Sequence, residues 1–163
     1  MTNAGKLTLT LLTALALTGT NSRAQLAQKK ALTLDVAKQL AAAAEKQAAA
    51  NKWTMCIVIM DDGGNLVYLE RMDGTQIGSI KVATQKAASA VAYKRPTKAF
   101  ADAVAGGGTA VLSLPGAMPI EGGIPLVVDG AVIGSIGASG GTSQQDGVVA
   151  KAGADALAAL ASK

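Results

Sequence analysis

Apolar residues recur at helical spacing in several parts of the chain. After Thr33, a candidate N-cap, the first such set is Ala37, Leu40, Ala41, Ala44 and Ala48. A second set with the same spacing is Ile80, Ala83, Ala87, Ala90 and Val91. Thr97 is placed to cap a short third helix, and Ser143 begins an alanine-rich fourth that continues to about residue 161. The spacing therefore predicts four helices.

Two pairs of apolar runs lie between these helices, and each pair encloses a turn rich in Asp and Gly. Residues 55–60 and 65–72 flank Asp61-Asp62-Gly63-Gly64, and residues 124–128 and 131–139 flank Asp129-Gly130. Asp-Gly between two strands favours a two-residue type I′ turn. Two hairpins among helices predict an antiparallel sheet with helices packed against it, which is an α+β domain.

Glycine is unusually frequent in the second hairpin, where residues 121–141 still carry branched apolar side chains typical of strand. The spacing of Gly134, Gly137 and Gly140 is not that of a dinucleotide-binding turn or a P-loop. Ser139 lies in a G-x-S-x-G pattern, but a chain without histidine offers it no conventional base. The glycines therefore predict close packing, in which a helix or a second subunit lies almost directly on the sheet.

The end of this hairpin has a second interpretation. Gly140 and Gly141 precede the fourth helix, where free backbone N–H groups attract anions. Ser143 and Asp146 stand at capping-box spacing and can instead satisfy those groups from within the chain. The sequence leaves both the anion niche and the internal cap open.

The first 24 residues predict a signal peptide, and the alternative is a hydrophobic N-terminal helix packed on the domain. Lys6 gives a positive start, residues 7–17 form an apolar core, and Ser22-Arg23-Ala24 resembles a cleavage site. The apolar run is shorter than the roughly 20 residues that a spanning helix needs, so no transmembrane anchor is expected after cleavage. We expect a flexible leader over residues 25–31, a single domain over residues 32–163, and a periplasmic or secreted protein.

Charge and composition exclude several function classes. Loss of Lys6 and Arg23 from the 15 basic residues would leave 13 against 11 acidic ones, and aromatic residues make up only 2% of the chain. Neither property supports nucleic-acid binding. Cys56, the single cysteine, lies in an apolar run and is expected to be buried. No metal site is predicted, because the carboxylates are scattered without ligand spacing.

Several short motifs follow one another in a specific order. They are Asp61-x-Gly63-Gly64-x-Leu66, Arg71-Met72-Asp73-Gly74, Lys86-Ala87, Arg95-Pro96-Thr97, Gly122-Gly123-Ile124-Pro125-Leu126, Gly130-x-x-x-Gly134-x-Ile136-Gly137, Ser139-Gly140 and Asp146. Over roughly residues 32–162 this set resembles the GlcG/HbpS-like family, which is also similar to the C-terminal domain of PduO. The resemblance implies a five-stranded antiparallel sheet with flanking helices, of profilin-like topology, assembled into a homo-oligomer. It also implies haem or a related tetrapyrrole as a ligand of some members.

Candidate site residues fall into three groups, and each has a structural alternative. Arg71 suits a carboxylate, while Asp73 and Glu121 can act as acid and base. The candidate ligand-binding residues are Arg71, Lys86, Thr97, Gly122, Gly123, Gly140 and Gly141. For haem, which normally requires a strong axial ligand, the candidates are Tyr68, Met72 and Thr97. The alternatives are that Arg71 pairs with an acid at a subunit contact, that Lys86 is a solvated helix residue, and that Tyr68 and Met72 make ordinary packing contacts.

Two hypotheses about function follow. In the first, this is an exported, oligomeric protein that binds haem or another small anionic molecule. In the second, it is a small enzyme of isomerase or lyase type, which uses Arg71 and a carboxylate base for proton transfer on a hydroxy or keto acid. A purely structural oligomer is a third interpretation.

Overall fold

The order of elements is helix, hairpin, two helices, hairpin, helix. The computed structural model describes residue 26 and residues 28–161, so the predicted signal peptide of residues 1–24 lies outside the described part. The elements are α1 (Leu34–Ala50), β1 (Cys56–Asp61), β2 (Leu66–Arg71), α2 (Gly78–Tyr93), α3 (Lys98–Ala105), β3 (Gly123–Val128), β4 (Ala131–Ser139) and α4 (Ser143–Ala161). A 3-10 turn, Thr109–Ser113, lies between α3 and β3. The predicted element order is confirmed.

The strands form one antiparallel sheet in the order β2-β1-β4-β3, so β1 and β4 are central and the two hairpins lie side by side. The expected α+β class is confirmed, but the count of five strands is wrong for the described residues, which form four. Residues 106–122, with glycines and two prolines, form turns and a 3-10 segment instead of a further strand. The profilin-like topology stays a prediction.

Both hairpin turns form for the reasons that their sequences suggest. In the first turn, the carboxylate of Asp61 accepts hydrogen bonds from the backbone N–H groups of Gly63 and Asn65, at 2.9 and 2.8 Å. In the second turn, Asp129 and Gly130 both have positive φ, 51° and 77°, as a type I′ turn requires.

Helices cover both faces of the sheet, and alternate residues of β1 point to opposite sides. Ile57 and Ile59 belong to the larger core cluster, with residues of α1 and α4. Cys56, Val58 and Met60 belong to the smaller cluster, with residues of α2. The expected burial of Cys56 is confirmed. The predicted antiparallel sheet is therefore the middle layer of three.

Glycines allow α2 to lie directly on the sheet, as predicted. A Cβ atom at Gly137 would overlap the backbone carbonyl oxygen of Ala83, and one at Gly123 would overlap that of Lys86. Side chains at these two positions would push the helix away from β3 and β4. The close packing expected from the glycine-rich hairpin is confirmed.

Candidate functional site

Lys86 lies on the buried face of α2 and is completely buried. Its Nζ atom donates to Oδ2 of Asp146 at 2.6 Å and to the carbonyl oxygen of Ala138 at 3.2 Å. The alternative of a solvated Lys86 is therefore wrong. The sequence did contain a signal, because Lys86 is three residues after Ala83 and four before Ala90, in the same apolar stripe.

Asp146 joins this lysine to the end of β4. Its Oδ1 atom accepts hydrogen bonds from the backbone N–H groups of Gly140 and Gly141, both at 3.0 Å. Burial raises the pKa of Asp146, although Lys86 and the two N–H groups act in the opposite direction. The niche proposed at Gly140 and Gly141 is thus filled by a carboxylate of the chain itself.

The capping box at the start of α4 is formed by Thr142 and Gln145, one residue before the predicted pair of Ser143 and Asp146. The hydroxyl of Thr142 accepts from the N–H of Gln145 at 3.3 Å, and the side-chain oxygen of Gln145 accepts from the N–H of Thr142 at 2.9 Å. Ser143 and Asp146 therefore do not form the box, because Asp146 is turned toward Lys86 and the glycines.

Thr97 fixes the beginning of β3. Its hydroxyl accepts a hydrogen bond from the N–H of Gly123 at 2.9 Å, and its own N–H donates to the carbonyl oxygen of Gly123, also at 2.9 Å. The expectation that the Thr97 side chain caps α3 is wrong, because that side chain makes no cap hydrogen bond. The residue is fully buried, so its hydroxyl holds backbone in place rather than facing solvent.

Four of the candidate residues lie on or just after β2, at the opposite edge of the sheet. Arg71 and Asp73 are exposed there, whereas Tyr68 and Met72 are partly buried against the larger core cluster. The hydroxyl of Tyr68 donates to Glu70 at 3.1 Å, and this hydrogen bond raises the pKa of Tyr68. The phenolate that would ligate haem iron is therefore disfavoured.

The structure does not bring these β2 residues together with the remaining candidates. Two central strands separate β2 from β3, which at the usual strand spacing places the two edges about 14 Å apart. Arg71 and Glu121 therefore do not form a clamp and base around one small molecule within this chain.

A cavity lies at the β3 edge, and we refer to it as the β3 cavity. It has a volume of about 350 Å³, within the usual range for a small-molecule site. The residues that line it come from the start of α3, the start of β3 and one face of α4: Pro96, Lys98, Glu121, Gly122, Gly123, Ile124, Gly147, Lys151, Ala154 and Asp155. Three of these lining residues, the consecutive Glu121, Gly122 and Gly123, are candidates that the sequence predicted.

Lys98 and Lys151 place two positive charges in the lining of the β3 cavity, beside the carboxylates of Glu121 and Asp155, and the sequence analysis missed both lysines. Each forms an exposed ion pair four residues along its own helix, Lys98 with Asp102 and Lys151 with Asp155, all at 2.6 Å. The hydrogen bond to Asp102 raises the pKa of Lys98. In sequence such pairs look like ordinary helix surface, and both lysines reach one cavity because α4 packs on β3 and the start of α3 is bound to the start of β3.

Buried charge also lies directly behind the cavity wall. A Cβ atom at Gly122 would come within 2.9 Å of the Lys86 ammonium group and 2.8 Å of the Cβ of Asp146. Gly122 has φ of 125°, a conformation that residues with side chains rarely adopt. The buried ion pair therefore fixes the backbone of the β3 cavity without facing into it.

The donor set of the β3 cavity suits carboxylates better than iron. Lysine ammonium groups bind carboxylates through charge-assisted hydrogen bonds. The usual protein ligands of haem iron are His, Cys, Met and Tyr, and the cavity lining contains none of them. Within the described residues, no group of three or more Cys, Asp or Glu side chains could hold a metal ion. The residues thus fit the propionates of haem but do not fit axial ligation.

Fold and cavity together define a small α+β domain with a candidate anion site at one sheet edge. Residues 32–155 match the family described as "Haem degrading protein HbpS-like". The chain belongs to this HbpS-like family, in agreement with the resemblance seen in its motifs.

Individual relatives agree with this assignment. Protein GlcG of Escherichia coli K12 is 40% identical over 111 residues, which are 68% of this chain and 83% of GlcG. A double mutant of HbpS from Streptomyces reticuli superposes with a TM-score of 0.73 at 32% identity, over 81% of this chain and 90% of that one. The structure described as a PduOC:heme complex gives a TM-score of 0.71 at 30% identity, over 78% and 95%.

Proposed function

We propose that this protein is an exported, homo-oligomeric binding protein for a small anionic molecule, with haem as the first ligand to test. The observation that carries the proposal is the convergence of Lys98 and Lys151 on the β3 cavity. Exposed lysine–carboxylate pairs contribute little, so a ligand carboxylate can replace Asp102 or Asp155 as the partner at small cost.

Haem is favoured by the family and by the heme complex of one relative. When bound, haem would supply iron redox chemistry. Lys98 and Lys151 would hold its propionates, and the apolar surface of Pro96, Ile124 and Ala154 would contact the porphyrin edge. Because the cavity contributes no strong axial ligand, we expect weaker haem binding than in proteins with a histidine ligand.

Export and self-association are further parts of the proposal. The apolar run and cleavage-like site in residues 1–24 support a periplasmic or secreted location. No helix in the described part of the chain is long and apolar enough to span a membrane. Homo-oligomer formation is supported by exposed apolar residues around the α3–β3 connection, which include Leu112, Leu114 and Ile120.

A second candidate function is the proton-transfer enzyme of isomerase or lyase type. The observation that favours it is that Glu121, a carboxylate, shares the cavity with the two lysines. In this version Lys98 and Lys151 replace Arg71 as the residues that hold a hydroxy or keto acid. Glu121 would then be the base, provided that substrate places a C–H or O–H group beside it.

Haem titration of three proteins tests the proposed function. Absorbance in the Soret region is followed for the wild type, a Lys98→Ala/Lys151→Ala variant and a Lys38→Ala/Lys81→Ala control, whose lysines are exposed elsewhere. We expect a saturable change in the wild type and control, and an affinity at least about tenfold lower in the cavity variant. Equal affinities in all three would contradict the role of the β3 cavity. If none binds haem, the same variants are compared with small carboxylates.

A further inference from the structure

Glu121 has an unusual position in the β3 cavity. It is partly buried, and its side chain lies flat against α4 at Gly147. A Cβ atom at Gly147 would overlap Oε1 of Glu121 and would lie 2.7 Å from its Cδ. Glycine at 147 therefore leaves the space in which this carboxylate rests, although glycine lowers the stability of a helix interior.

No described residue donates a hydrogen bond to the Glu121 carboxylate or forms an ion pair with it. Lys98 interacts with this carboxylate electrostatically. The Glu121 oxygens are not among the fully buried polar atoms that lack a partner, so this carboxylate is open to a hydrogen-bond donor of a ligand that enters the cavity.

The cavity therefore combines two kinds of recognition. Lys98 and Lys151 can donate to a carboxylate, and Glu121 can accept from a hydroxyl or ammonium group. Pro96, Ile124 and Ala154 add apolar surface for a short carbon chain. A plain carboxylic acid would satisfy the lysines only and would leave Glu121 without a donor.

We propose that the β3 cavity selects small carboxylic acids that carry a second hydrogen-bond donor, a hydroxyl or an amino group, and that Glu121 determines this selectivity. The inference rests on the proposed function, since it assumes that the lysines hold an anion there. It goes further because it names the ligand class, and haem lacks the second donor.

Three ligands with the same carbon skeleton provide the test: propionate, lactate and the amino acid alanine. Titration calorimetry measures their dissociation constants for the wild type, Glu121→Met, Gly147→Ala and a Glu45→Gln control on α1. We expect lactate or alanine to bind the wild type and control at least about tenfold more tightly than propionate. The tighter of the two identifies the donor as hydroxyl or ammonium.

Both cavity variants should lose this preference while they retain the weak binding of propionate. In Gly147→Ala the new methyl group displaces Glu121, and alanine has the higher helix propensity, so the thermal midpoint should not fall. Equal binding of all three ligands by the wild type, or a preference that persists in both variants, would overturn the inference. Propionate binding that depends on Lys98 and Lys151 would still support the proposed function. The proposed function and the selectivity inference can therefore fail separately. If no ligand binds, this inference fails, and the haem titration decides the proposed function.

Discussion

Replacing Lys86 by methionine should destabilise the protein severely. The substitution keeps most of the side-chain volume but leaves Asp146 buried without its cation. Breaking a buried ion pair by removing one partner typically costs about 3–5 kcal/mol, a large part of the 5–15 kcal/mol that holds a domain folded. For a chain of this length, at about 2–4 °C per kcal/mol, this corresponds to a fall of roughly 6–20 °C in Tm.

A matched control separates burial from the ion pair itself. Lys151 pairs with Asp155 at the same 2.6 Å, but its side chain is 67% exposed, whereas that of Lys86 is 0% exposed. Lys151→Met should therefore cost less than about 1 kcal/mol. Urea unfolding measures the free energy of unfolding of both variants. Similar losses for Lys86→Met and Lys151→Met would show that burial of the ion pair does not determine the cost.

A second substitution should recover much of the loss. In Lys86→Met/Asp146→Asn the buried charge is gone, and the amide oxygen can still accept from the N–H groups of Gly140 and Gly141. We expect the double variant to regain about 2 kcal/mol relative to Lys86→Met. An additional loss in the double variant would show that the carboxylate charge is not the source of the cost.

The pH dependence of Lys86→Met follows from the same geometry. Burial already raises the pKa of Asp146, and without Lys86 it should rise further. The folded variant then binds a proton more readily than the unfolded chain. Its deficit relative to wild type should be smallest below the unfolded-state pKa of the carboxyl group and grow as pH rises through the folded-state pKa. A deficit that is independent of pH between about 4 and 7 would contradict this.

Two further predictions concern the interior of the sheet. Gly137→Ala places a methyl group against the backbone of α2 and should lower the free energy of unfolding in urea by about 1–3 kcal/mol or more. Gly78 has open space around it, so Gly78→Ala should not destabilise the protein. Equal effects of the two substitutions would contradict the explanation by close packing. Burial raises the pKa of the Cys56 thiol to about 11. At pH 8 a thiol reagent should therefore label the unfolded protein rapidly and the native protein hardly at all. Rapid labelling of the native protein would show that Cys56 is accessible.

Local structure could be predicted because local chemistry determines it. The strand over residues 131–139 follows from its apolar run with branched side chains, and the turn at Asp129-Gly130 follows from turn preferences; the structure has both. The glycines at 123 and 137 indicated close packing. The sequence did not indicate that the backbone of α2 is what lies against them. The fifth strand rested on resemblance alone, and no apolar run in residues 106–122 supports it.

The site was harder to predict because it depends on which elements become neighbours. Arg71 suits a ligand carboxylate and Glu121 suits acid–base chemistry on the same ligand. The strand order, however, places the two residues at opposite edges of the sheet. Lys98 and Lys151 are 53 positions apart in sequence and line one cavity only because α3 and α4 both lie beside the start of β3. For Lys86 the local sequence was informative, because its position in an apolar stripe of α2 indicated burial. Its charge nevertheless favoured the interpretation that the side chain is exposed to solvent.

The most direct test of the central claim is to locate a bound anion on the protein. Propionate is titrated into the isotopically labelled protein, and backbone amide NMR signals are followed residue by residue. We expect the largest shifts at Gly122, Gly123 and Gly147, around the β3 cavity. Shifts concentrated instead at Arg71 and Asp73 would place the anion at the β2 edge and rule out the β3 cavity as its site.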